Sequence, residues 1–379
     1  MRHNELEMMI AESEKRLAAG RRRLIILSNL RLVAALAAFA GFVAAFRGMR
    51  VLGLVCGIGM ALGFAVLVRL FNNQQEAIKL EESRKAVLGR YLDRITGKWQ
   101  HFDDDGSRYV KQDDFLSTDL DLFGSGSLFQ YISVAHTIAG GDALMRLLTH
   151  PDLDAIDTRQ QAVSELIADD ARAVDFEALG FEPNSYASAS MTEAEETLRS
   201  YAQGEATVRS ETFMLGIIMP AVTLAVGTAV LLGRAPEIAF VVCFFAQISA
   251  ALFLSGTVDK EKHMVLTLQR RLARNEARID KLLTASFESP YLCEMQAALS
   301  DAGTAIRSLN QLVSAWQLRE NFIFFWPLAG LFAWDFNCLT LLTRWRAQYG
   351  KRFVGWLDWI GEAEALYSLG VLARVRPDD

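Results

Sequence analysis

The run Asp103-Asp104-Asp105-Gly106 offers three carboxylates that could ligate a divalent cation. The reading preferred is a solvated turn, because Asp-Gly is a hairpin signal and Trp99, Phe102, Tyr109 and Val110 flank it. Cys56, Cys243, Cys293 and Cys338 have no paired spacing, and the five histidines are scattered singly, so neither a disulfide framework nor a zinc site is expected. No phosphate loop of the form Gly-x-x-x-x-Gly-Lys-Ser/Thr occurs. Gly97-Lys98 precedes Trp99 and Gly350-Lys351 precedes Arg352, so neither pair supplies the hydroxyl that holds Mg²⁺. Arg270, Arg271, Arg274 and Arg278 form either a basic stripe for phosphate or anionic lipid, or the solvated side of a helix on which Glu276 and Asp280 are interleaved. No order of Ser, His and Asp suggests a catalytic group. The expectation is therefore no catalytic residue, no cofactor, no metal and no enzyme activity of the chain's own.

The elements around these residues point to a membrane. Hydrophobic residues make up 51% of the sequence, and they are concentrated in blocks. Residues 24–46 and 51–68 are apolar, joined only by Arg47-Gly48-Met49-Arg50. Residues 213–232 and 238–255 form a second such pair, joined by Gly233-Arg234-Ala235-Pro236-Glu237. Each run suits a hydrocarbon core of ~30 Å. Arg21, Arg22, Arg23, Arg69 and Lys79 outnumber Arg47 and Arg50, which places both ends of the first hairpin, and with four spans both termini, in the cytoplasm. The expected location is the inner, cytoplasmic membrane, multi-pass. A net charge of −6 gives DNA binding by this chain alone no support.

Between the hairpins, Ser117 to Leu166 organises the polar part. Gly124-Ser125-Gly126-Ser127 suits a tight turn. Leu128, Phe129, Ile132, Ala135 and Ile138 then predict an amphipathic helix, broken at Gly140-Gly141. Asp142 is expected to cap a second helix that Pro151 stops, and Asp154 or Asp157 a third. Downstream, Ser190/Glu193 and Thr192/Glu195 are candidate capping boxes. Val258, Val265, Leu272 and Ile279, with Leu268 and Leu282, form a heptad seam on a long helix. Residues 298–316 predict one amphipathic helix, and residues 321–342, apolar enough for a fifth span, are expected instead to form a buried helix outside the membrane because of Pro327, Asp335 and Asn337.

Several of these residues also resemble the entry to the core domain of MutS-type mismatch-repair ATPases, closest to the branch that carries membrane segments. The matching residues are Asp119-Leu120-Asp121-Leu122-Phe123, Gly124 and Gly126-Ser127-Leu128-Phe129, then Thr137-Ile138-Ala139-Gly140, Leu147-Leu148 with Pro151, and Arg159-Gln160-Gln161-Ala162-Val163. A weaker likeness continues at Trp334-Asp335 and from Trp356 to Leu369. The resemblance implies a mainly α fold: an integral membrane protein with two transmembrane hairpins and a MutS-core-like cytoplasmic helical body with long lever helices. It divides the chain into an anchor (1–71), a core-like region (72–212), a second hairpin in the place of the family's clamp (213–255), and a lever returning to the core (256–379). Asp119, Asp121, Leu122, Phe123, Gly124, Gly126, Leu128, Thr137, Gly140, Arg159 and Gln160 are expected to be structural motif residues. The family's ATPase region and Phe-x-Glu mismatch wedge find no match in these 379 residues. The implied function is a membrane-anchored scaffold or adaptor acting through a protein partner, either a separate ATPase subunit or a second copy. The alternative is the front piece of a split or truncated membrane MutS-like ATPase, with DNA and ATP binding by family inference only.

Overall fold

The computed structural model describes residues 3–46, 50–110, 114–181, 196–197, 199–200, 202–204, 210–253, 273–318 and 322–376. These are mainly helical, with no strand among them. The chain divides into two compact units, residues 1–133, 167–186 and 369–379 in one, and 134–166 and 187–368 in the other.

The first unit is built on two long antiparallel helices, α1 (His3–Phe46) and α2 (Arg50–Thr96). At 1.5 Å per residue they extend about 65–70 Å. Helix α2 continues unbroken through residues 71–72, so its apolar and amphipathic halves are one rod. The polar halves zip together: Lys85 pairs with Glu14 at 2.7 Å, Arg21 with Glu82 at 2.9 Å, and the Ser13 hydroxyl donates to Glu81. Gly20 permits this approach, since a Cβ there would lie 3.1 Å from Ile78. Val87, Leu88 and Tyr91 on α2 are buried, and α7 (Asp170–Gly180) packs on that helix. Short helices α3 (Phe115–Asp119) and α4 (Leu128–Ile132) complete this part.

The Asp-Gly turn joins two 3₁₀ turns, Trp99–His101 and Ser107–Tyr109, instead of the strands a hairpin would need. Gly106 has φ +73°, and the aromatic flanks pack inward, Trp99 on Tyr131 and Tyr109 on Phe129. Helix α4 also corrects the expected helix from Leu128 to Ile138, because it ends after five residues.

In the second unit, α5 (Ile138–Thr149) starts earlier than the sequence suggests. Thr137 caps it, its hydroxyl accepting from Gly140 N at 2.9 Å. Gly140 and Gly141 therefore lie inside the helix instead of breaking it. Helix α6 (Ile156–Ile167) follows. Helices α8 (Ser210–Leu231) and α9 (Glu237–Phe253) are the second apolar pair. Then come α10 (273–284), α11 (Pro290–Leu299), α12 (Ala302–Gln317), α13 (Phe322–Phe332), the 36-residue α14 (Trp334–Leu369) and, in the first unit, α15 (Val371–Val375).

Two further expectations are revised. The helix predicted over 298–316 is split, because α11 ends at Leu299 and α12 begins at Ala302; its Ile306, Leu309, Val313 and Trp316 are buried. Residues 321–342 are likewise two helices, divided at Ala333, whose φ is +44°. Helix α13 packs on α8 and α9, with Gly330 against the Phe244 ring, so it joins the apolar pair instead of the polar core. Of the heptad seam, Ile279 and Leu282 are fully buried. Val258, Val265, Leu268 and Leu272, Arg270 and Arg271, and the capping boxes at 190–195 lie outside the described residues.

Candidate functional site

The Gly/Ser turn belongs to the first unit. Asp121, Gly124 and Gly126 have φ of 47°, 103° and 81°. The glycines relieve the steric cost of that region, and Asp121 is a type that tolerates it. The turn is closed by Leu128 N donating to Asp121 O at 2.9 Å and Phe129 N to Leu122 O at 3.0 Å. Gln130 locks it, accepting from Gly126 N at 2.8 Å and donating to Phe102 O at 2.8 Å. Leu122 is buried, Phe123 packs beside Tyr109 and Phe129, and Asp119 and Asp121 are exposed. The neighbouring acids serve the turn as well. Asp104 accepts from Gly106 N and holds Arg108 at 2.6 Å, and Asp105 accepts from Ser107 N at 2.9 Å. Among the described residues, no three His, Cys, Asp or Glu are grouped to hold a metal.

Two arginines of this unit, Arg94 and Arg374, are buried and a third, Arg90, is half-buried, which composition alone did not predict. Arg94 donates to Tyr131 O at 2.7 Å and Ser133 O at 2.8 Å, satisfying carbonyls at the end of α4. Arg374 holds Asp170 at 2.9 Å and donates to the Tyr91 hydroxyl at 2.5 Å. Arg90 lies 4.1 Å over the Phe102 ring. Burial, and then the charge of Arg94, push its pKa down to about 10.

The remaining motif residues, Thr137, Gly140, Arg159 and Gln160, belong to the second unit; Thr137 and Gly140 meet Glu364 of α14, and Arg159 lines the cleft beside Glu362. Glu364 is fully buried and accepts from His136 N (3.1 Å), Thr137 N (3.2 Å), the Thr137 hydroxyl (2.5 Å) and the Arg278 guanidinium. Arg278 is only 1% exposed, so it is a core cation and not part of a solvated face. A Cβ on Gly140 would overlap the Glu364 carboxylate, and one on Gly361 would come within 2.5 Å of the α5 backbone at Ala139. These glycines set how closely α5 and α14 cross. The carboxylate also sits at the N-terminal end of α5, where the helix dipole favours negative charge.

Glu362, two residues before Glu364 on α14, opens onto a cleft of about 740 Å³. Arg146 holds it at 2.7 Å and the Tyr291 hydroxyl donates to it at 2.7 Å. Arg199 pairs with Asp358 at 2.7 Å on the same wall. Arg159 lines the cleft and donates to Asp152 O at 3.2 Å, whereas Gln160 is exposed on α6. Burial first, and then its bond to Glu362, raise the Tyr291 pKa well above the ordinary tyrosine value. The hydroxyl is thus a donor and not a base. The two ion pairs and the Tyr291 bond tie α14 to α5, α11 and residue 199. Sequence reasoning missed Glu362, Glu364 and Tyr291; two glutamates in an otherwise apolar stretch of helix, Trp359 to Leu369, were the available signal.

A different surface is apolar. Helix α1 is long and apolar enough to cross a membrane: an 18-residue window has mean hydropathy 1.9 and none of it is buried. The described apolar stretches of α8 and α9, Gly216–Leu231 and Glu237–Ala250, are shorter. Where α8, α9 and α13 meet, Gln247 is fully buried, accepting from the Thr223 hydroxyl at 2.8 Å and donating to Ala329 O at 3.1 Å.

No family model, curated protein or solved structure matches the chain.

Proposed function

We propose that the protein is a multi-pass membrane scaffold of the inner, cytoplasmic membrane, anchored by the α1/α2 and α8/α9 hairpins, which presents its polar helices to a protein partner in the cytoplasm. The carrying observation is the exposed apolar half of α1. Ile25, Leu32, Val33, Leu36 and Phe39 are each about 60–70% exposed, and Leu62 and Val66 continue that surface on α2. In water such a surface would drive association, whereas in lipid it is solvated. The α8, α9 and α13 group supports the same reading. Its polar contacts among Thr223, Gln247 and Ala329 are inside, while Ile217, Ile218, Val222, Val242 and Phe245 face outward.

The arginines at the base of the first hairpin support a cytoplasmic position for the polar parts. The residue pattern from Asp119 to Val163 supports a MutS-core-like body, in which the heptad-seam segment, residues 257–284, would be the lever and the body would act through a separate ATPase subunit or a second copy. The acidic net charge speaks against DNA as the direct partner.

Alkaline carbonate extraction of membranes, followed by cysteine mapping, tests the reading. The chain is expected to stay with the membrane. Single cysteines at positions 217–229, in a background free of Cys56, Cys243, Cys293 and Cys338, are expected to resist a membrane-impermeant maleimide. Labelling of those positions in intact membranes would refute the second hairpin, and release by carbonate would refute the anchor.

A further inference from the structure

The α1/α2 hairpin has a charge pattern unlike the rest of the chain. From residue 15 to residue 75 there are one lysine and eight arginines and no aspartate or glutamate, in a protein of net charge −6. The fold collects five of those arginines around the rod just below its apolar end. Pairing of Lys85 with Glu14, and the fit of Gly20 against Ile78, fix an antiparallel register. That register sets Arg69 on α2 level with the part of α1 between Arg23 and Arg31.

The five arginines differ in what they touch. Arg21 is engaged by Glu82 at 2.9 Å. Arg31 folds over the Phe71 ring at 4.4 Å; Phe71 lies nearer the polar base, so this guanidinium points away from the apolar end. Arg22, Arg23 and Arg69 are exposed and have no ion pair among the described residues. Of the nearest acids, Glu14 pairs with Lys85 below the collar, and Glu76, about level with Arg22, is taken by Lys79 at 2.6 Å.

We propose that this collar binds the acidic headgroups of anionic phospholipids in the leaflet that faces the polar body. The inference rests on the membrane reading above and adds a lipid class to it. Guanidinium groups bind phosphate through paired, charge-assisted hydrogen bonds. Three guanidinia without ion pairs, spread over about 10 Å along the rod, call for net negative charge. A zwitterionic phosphatidylcholine headgroup does not supply that, because its choline offsets its phosphate. Each basic side chain near an anionic surface strengthens binding by about fivefold.

The test is lipid retention by the full chain. The protein is purified from detergent containing equal amounts of phosphatidylglycerol and phosphatidylcholine, washed, and its retained lipids counted by mass spectrometry. Phosphatidylglycerol is expected to be enriched about fivefold or more. Enrichment should fall towards parity in the R22Q/R23Q/R69Q variant, and persist when the same three positions carry lysine. It should also weaken for the unaltered protein in about 0.5 M salt, where screening acts within a few ångströms. Equal retention of both lipids by a chain that stays with carbonate-washed membranes would overturn the collar and leave the anchor standing. Undiminished enrichment in the glutamine variant would overturn the assignment to these arginines. A chain that carbonate releases would overturn both readings.

Discussion

Replacing Glu364 with glutamine should be among the most damaging single changes in the second unit. The side chain keeps its shape but loses its charge, and it presents an N–H₂ where one oxygen stood. Both oxygens now face donors: Arg278 and His136 N on one, Thr137 N and its hydroxyl on the other. Whichever way the amide turns, its own hydrogens meet donors. Arg278, 1% exposed, loses its countercharge. Breaking a buried pair from one side costs about 3–5 kcal/mol, and an unsatisfied backbone N–H adds about 1–3 kcal/mol. A net loss of about 4–8 kcal/mol lowers the melting temperature of a unit this size by about 10–30 °C. Thermal melts of the detergent-solubilised chain, followed by circular dichroism and tryptophan fluorescence, read this directly. The double variant R278M/E364Q should recover part of the loss, because it removes the unpaired buried charge while the amide oxygen still accepts from one pair of donors. A melting point for E364Q within about 3 °C of the parent would refute the reasoning. So would a double variant no better than E364Q.

Two further outcomes follow from the same structure. Gly140→Ala should destabilise by about 2 kcal/mol despite alanine's higher helix propensity, because its methyl would overlap the Glu364 carboxylate; Gly89→Ala, which meets nothing within 4 Å, is the neutral-to-stabilising control in the same melts. Asp169 caps α7, accepting from Arg172 N at 3.0 Å, and that backbone bond holds its pKa below the usual carboxylate value. A depressed folded-state pKa means that its contribution is complete above the ordinary carboxylate range and is lost as pH falls through the folded value. Asp169→Asn should therefore flatten the fall of melting temperature below about pH 4, and an unchanged acid limb would count against the cap.

Much of the local structure was legible in the residues. The mainly helical class follows from the long apolar runs and the periodic segments around them, and the apolar half of α1 is apparent from composition, because no partner is needed to make a segment hydrophobic. Residues 128–138 were harder. Their apolar spacing fits a helix, yet the chain leaves helical geometry at Ser133, whose carbonyl is taken by Arg94 on α2. Gly140 and Gly141 look like breakers because glycine is costly in a helix. Only the carboxylate of a residue more than two hundred positions away shows why a glycine is needed inside one.

The sequence by itself determined the helical class, the two apolar pairs and the turn glycines, since propensity, hydropathy and positive φ are properties of short segments. The tertiary structure alone decided that Arg278, Arg94 and Arg374 are buried cations, that Glu362 and Glu364 anchor α14, and that α13 joins the apolar pair. Each of those facts depends on which distant group arrives opposite a side chain. The cost of burying a charge is settled by that partner, and no local pattern carries its identity.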